Sequence, residues 1–273
     1  MNKINLYQLF AVFILALILI LGANQNPKPE TPETGVSLPA EWGDLGLQLS
    51  EKEVIDADKI MAIYRKRGDF TAEQEAMLRS KGTGPIKITA ENSGYLLNLF
   101  WALGLANQNP ILTSGEMSDP RYGDAGRFAS TGGWTLAKGD PMSHYNRHQL
   151  LRLTPTQQAL VAKMAQGIYR PCCDNSTHFP DCNHGMAMLG LLELMASQGA
   201  SETEMWATAL AVNAYWFPEH YSTIAVYYQQ QGIEWSEIDP REALGVHYSS
   251  AQGFARIASQ VARPKQDSVG CAV

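Results

Sequence analysis

Four times along this chain a hydroxyl residue is followed three positions later by Glu or Gln, with apolar residues recurring beyond it. Ser50 leads to Glu53, Thr71 to Gln74, Thr154 to Gln157 with Pro155 next to the threonine, and Ser201 to Glu204. In such a pair the hydroxyl accepts from an early helical N–H while the carboxylate or amide reaches back to the cap. Each pair therefore announces a helix start. Apolar residues then return at three- and four-residue spacing, as in Val54, Ile55, Ile60, Met61, Ile63 and Tyr64. The stretches 89–106, 182–198, 201–217, 219–230 and 249–261 also read as helices, and Asn92-Ser93-Gly94 and Asn183-His184-Gly185 open two of them in similar ways. No run shows sustained strand alternation with hairpin turns. The predicted class is all-α, a multi-helix globular domain.

Residues 107–143 break the pattern. They hold Pro110, Gly115, Pro120, Gly123, Gly126, Gly132, Gly133, Gly139 and Pro141, which predicts one long irregular Gly/Pro-rich loop. Loops of this length inside a compact domain are uncommon and often carry function; a surface excursion with a short helical turn is the plain alternative.

The N-terminus differs from everything after it. After Lys3 no charge occurs from Ile4 to Ala23, and Leu9 to Ala23 is apolar throughout. Twenty helical residues rise about 30 Å, one hydrocarbon core. Residues 1–23 are therefore expected to act as a signal anchor, with the lysine on the cytoplasmic side. A cleaved signal peptide competes, although cleavage after Ala23 would put Leu21 where a small side chain is preferred. Residues 24–41 contain Pro27, Pro29, Pro32 and Pro39 and read as an extended spacer; residues 42–273 read as the globular domain. Either N-terminal reading exports that domain, the anchor makes the membrane its partner, and the short basic start with a Pro-rich spacer suggests a bacterial cell envelope. A formal net charge of -6 argues against nucleic acid, which needs a basic face.

The unusual chemistry lies in residues 171–185, which read Pro-Cys-Cys-Asp-Asn-Ser-Thr-His-Phe-Pro-Asp-Cys-Asn-His-Gly. Asp181 is a plausible cap for the helix that follows, with Cys182 and His184 in its first turn. Thiolate and imidazole are the usual ligands of zinc and copper, so the leading expectation is a transition-metal site used in metal handling or redox chemistry. Cys172, Cys173, Cys182 and His184 are the expected ligands, with His178 and Met186 in reserve. Met142-Ser143-His144 and His184-Gly185-Met186 lean towards copper, because thioethers favour its cuprous form.

Two other readings compete. Exported cysteines are expected to pair, either 172–182 with 173–271 or 173–182 with 172–271, giving a stapled scaffold or binding domain without catalysis. Alternatively, a cysteine at a helix start beside a histidine can serve as a nucleophile. Asp181-Cys182 ahead of an apolar helix resembles the start of the catalytic helix in NlpC/P60-type cell-wall peptidases, which implies a thiol hydrolase using Cys182. The likeness spans two residues and a helix start. The small residues expected after that cysteine are here Asn183 and His184.

Elsewhere the expectations are plainer. His144 and His148 would share a face if their segment were helical, and they read as surface or capping residues. Glu193, inside the run Met186 to Met195, either faces solvent or supports a metal ligand through a hydrogen bond. Trp206, Tyr215, Trp216, Phe217, Tyr221, Tyr227 and Tyr228 read as core.

Overall fold

The structure, a computed structural model, describes residues 34–68 and 70–261. The expected anchor of residues 1–23, most of the spacer and Cys271 lie outside the described residues. None of the described helices is long and apolar enough to cross a membrane.

The described chain is mostly helical, as expected. Its centre is a pair of helices, α4 (Ser93–Ala106) and α7 (Asn183–Ser197), which cross in close contact. Both are apolar nearly all round, the signature of a helix enclosed on every side. In α7 every residue from Gly185 to Ala196 is buried. The crossing is tight because glycines meet there. A Cβ on Gly104 would lie 2.2 Å from the Met186 carbonyl oxygen, and one on Gly190 would lie 2.3 Å from that of Phe100. The helices with the similar Asn-x-Gly starts are thus the two that form the core.

Around them lie α6 (Pro155–Gly167), α8 (Glu202–Trp216), α9 (Pro218–Gln229) and α12 (Ala251–Gln260). The capping boxes at Thr71, Thr154 and Ser201 form as expected. Ser50 does not cap a helix. It lies in the last turn of α1 (Leu45–Glu51), where its hydroxyl donates to the carbonyl of Gly46. The next helix, α2 (Ala57–Arg67), is capped by Asp56, which accepts from the Lys59 N–H. Most of the aromatic cluster is core as expected, with Trp206, Tyr215, Phe217, Tyr221 and Tyr228 buried.

One departure from an all-helical chain is a two-stranded antiparallel sheet, β1 (Val36–Gly43) with β2 (Thr83–Ile88). It begins inside the stretch read as spacer. Leu38, Ala40 and Trp42 alternate inward, and the register slips between Ser37 and Glu41, where Pro39 cannot donate. The side-chain amide of Gln198, just past α7, donates to the Glu41 carbonyl and accepts from its N–H, which satisfies this edge.

The Gly/Pro-rich segment is irregular but ordered by side chains. It contains a five-residue helix, α5 (Pro110–Ser114), and short 3₁₀ turns capped by Asp119, Asp124 and Asp140. Trp134 is buried beneath it and donates to the Val54 carbonyl at 2.8 Å. The Trp101 indole donates to the Ser130 carbonyl at 2.6 Å. Through Phe128 and Tyr122, whose rings meet Phe179, the segment leans on the cysteine-bearing loop.

Candidate metal centre

The loop between α6 and α7 turns back on itself at a short antiparallel bridge between Tyr169 and Ser176. Thr177 fixes it by donating from both its N–H and its hydroxyl to the Ile168 carbonyl. Pro171, Cys172 and Cys173 lie at the tip of this excursion, and Cys182 lies at its return. Folding brings the three sulfurs together: all lie within 4.8 Å of one another. The Sγ atoms of Cys172 and Cys182 are 3.6 Å apart.

The group that organises the loop is Arg170, which is almost fully buried. Its Nε donates to Cys182 Sγ at 2.9 Å and its Nη1 to the Asn175 carbonyl at 3.0 Å. Nη2 donates to the Phe179 carbonyl at 3.0 Å and to Asp181 at 2.7 Å. The second Asp181 oxygen accepts from the Asn175 amide at 3.0 Å. One guanidinium therefore gathers four points of a loop twelve residues around, and a buried cation needs such partners. Gly185 permits this arrangement, since a Cβ there would meet the guanidinium carbon at 2.5 Å.

Two expectations are corrected here. Asp181 is not the helix cap, because its carboxylate is taken by Arg170 and Asn175; Cys182 itself occupies the cap position. The bridges 172–182 and 173–182 are not formed. The three described cysteines are free thiols, and 3.6 Å is far beyond the roughly 2.05 Å of a disulfide.

The three thiols are shifted in different directions. Cys182 is held well below the ordinary thiol range, first by hydrogen bonds from the Cys172 and Cys173 thiols, then by His184 and the Arg170 charge, against the opposing effect of burial. Cys172 is pushed far up, first by its hydrogen bonds with Cys173 and Cys182. For Cys173 the bond with Cys172 acts downward, but Cys182 and burial outweigh it. Burial works against the Arg170 charge, yet the neighbouring sulfurs and Asp181 raise its pKa. Asp181 is raised because burial outweighs Arg170.

His184 lies in the first turn of α7, beside Cys182 and against the rings of Trp216 and Phe217. Its Nδ1 is enclosed and has no hydrogen-bond partner. The two reserve ligands are placed elsewhere. Met186 is fully buried in the core near the α4 crossing. The His178 Nδ1 pairs with Glu116 at 2.7 Å, and its ring lines a separate cavity of about 410 Å³ with Pro110, Ile111, Pro155 and Gln158. His144 and His148 do meet, with ring nitrogens 3.1 Å apart, but not on a helix: buried His144 closes a 3₁₀ turn and His148 bridges to Asn107.

Sequence reasoning passed over Arg170 and Asn175. Their only sequence signal was an arginine directly ahead of Pro-Cys-Cys. It also favoured a solvent-facing Glu193. That residue is completely buried, and its carboxylate accepts from the side-chain amides of Asn107 and Asn109. No protein-family model, curated protein or solved structure matches this chain, so the meaning of the three-sulfur cluster is argued from its own geometry.

Proposed function

We propose that this chain binds a transition-metal ion, copper or zinc, through Cys172, Cys173 and Cys182, with His184 as the fourth donor. The observation that carries the reading is the approach of the three sulfurs to within 4.8 Å of one another. Thiolates at about 2.3 Å from one tetrahedral ion stand roughly 3.8 Å apart, and the Cys172–Cys182 separation of 3.6 Å is close to that. His184 stands outside the 4.8 Å grouping of the three sulfurs, but its enclosed Nδ1 has no hydrogen-bond partner and is a donor type suited to the same class of ion. The role is metal handling or metal-assisted redox chemistry, and the apolar run before residue 24 supports a place on the outer side of a membrane.

The test is elemental analysis of the full chain, purified in mild detergent without chelators or affinity metals, with thiols counted on the same sample. Near-stoichiometric copper or zinc, lost when Cys182 and His184 are both changed to Ala, supports the reading. Absence of metal together with absence of free thiols refutes it in favour of the stapled scaffold, which needs Cys271 as a partner. Absence of metal with one reactive thiol refutes it in favour of Cys182 as a nucleophile.

A further inference from the structure

We infer that the three-sulfur centre is an exchange site, which passes its ion to an acceptor thiolate through Cys172. This rests on the metal-binding reading above and adds a direction of use to it. A structural zinc site clamps a segment that nothing else holds, and its binding energy is folding energy. The loop here is held by the protein itself. Arg170 ties Cys182, Asn175, Phe179 and Asp181 together. Cys173 is fixed through its backbone, its N–H donating to Arg170 and its carbonyl accepting from Ala251 at the start of α12. Asp174 accepts from both the backbone and the side chain of Gln252. On the far side Ser130 donates to the Asp181 carbonyl.

The three sulfurs differ in access. Cys173 and Cys182 are half-buried on these anchored stretches, whereas Cys172 is exposed at the turn between Pro171 and Cys173. Of its three sulfur ligands, an ion held there has two fixed on the protein side and one on the solvent side. Slow release from a metal site usually comes from enclosure on all sides, and this site is open at one ligand.

The step balances without redox chemistry. An incoming thiol binds the ion as its thiolate, the bond from the ion to Cys172 Sγ breaks, and the proton of the incoming thiol passes to Cys172. The ion keeps its oxidation state throughout, and repetition at Cys173 and Cys182, with release of the His184 nitrogen, completes the transfer. The acceptor is therefore a thiol-bearing molecule, either a small thiol or a cysteine pair of another protein.

The test loads the full chain in detergent with cuprous ion or zinc and follows loss of the ion to glutathione in one arm and to a synthetic Cys-x-x-Cys peptide in the other. The expected result is a transfer rate, per bound ion, that rises in proportion to acceptor concentration, and the arm with the steeper slope identifies the kind of acceptor. Cys172→Ser should lose that dependence, whereas Cys173→Ser should weaken binding and keep it. A release rate independent of either acceptor overturns the inference, as does a Cys172→Ser protein that exchanges like the original. A second measurement needs no variant: stripping the ion should leave near-ultraviolet circular dichroism and cooperative unfolding intact. Collapse of the fold on stripping would mark a structural site instead. Failure to take up any ion is a separate outcome that removes the metal-binding reading itself.

Discussion

Replacing Glu193 with Gln should abolish a specific slope in the pH dependence of stability. The carboxylate is wholly enclosed in α7, and its two oxygens accept from Asn109 and, at 3.2 Å, from Asn107. Neither amide can turn around. The Asn107 oxygen accepts from the N–H groups of Leu150 and Leu151, and the Asn109 oxygen from Ile111 N–H and Gln158. Burial raises the Glu193 pKa from 4.5 to about 8, with the two amides acting in the other direction. Below the unfolded value both states are protonated, and this group adds no pH dependence. Between the unfolded and folded values the unfolded chain releases the proton and the folded one keeps it, so stability falls as pH rises. The slope is about 1.4 kcal/mol per pH unit, or roughly 3 kcal/mol from about pH 5.5 to about pH 7.5, and it flattens above the folded value. Gln cannot ionise, and its NH₂ would face a fixed amide donor, costing about 1–3 kcal/mol at every pH. Glu193→Gln should therefore be the less stable protein in acid and should close the gap as pH rises. Urea midpoints measured across this range on both proteins give the difference directly, and other titrating groups cancel in it. Parallel curves would refute the reasoning, because they would mean that Glu193 keeps one protonation state throughout.

Arg170→Gln should cost about 3 kcal/mol, towards the lower end for a broken buried pair because Asp181 keeps some contact with water, and should abolish near-stoichiometric metal binding; urea midpoints and metal content check the two effects. Gly104→Ala forces a methyl group against the Met186 carbonyl at the tightest point of the helix crossing, and should lower stability by about 3 kcal/mol or more, read as a drop in Tm. Thr154→Ala removes one half of a formed capping box and should cost about 1 kcal/mol in the same assay, leaving metal content unchanged.

Much of the architecture was legible because helix starts are written in side chains that act locally. Thr71, Thr154 and Ser201 bond within their own first turn, and no distant contact is needed for their meaning. Ser50 carried the same signal and did something else, since its hydroxyl is taken by Gly46 and by the Leu78 carbonyl of a neighbouring helix. The strand Val36–Gly43 was hidden by Pro39 and by the prolines before it, although Leu38, Ala40 and Trp42 have the right alternation. Its pairing with residues some fifty positions away is a tertiary fact, which local pattern does not contain.

The centre divides along the same line. Cysteine and histidine are rare enough for their clustering to be visible, and that clustering marked Cys172, Cys173, Cys182 and His184. What makes a site of them is a counter-charge, and arginine is too common to stand out. Arg170 could be recognised only once the loop returned and set Cys182 against its guanidinium. His178, by contrast, sits inside the marked segment and faces away, because its ring is claimed by Glu116 from the irregular loop. Proximity in sequence selected the chemical types; a single buried cation selected which of them share one place. The order of the centre therefore depends more on Arg170 than on any one cysteine. Each thiol substitution removes one sulfur, whereas loss of the guanidinium releases the segment that holds all three.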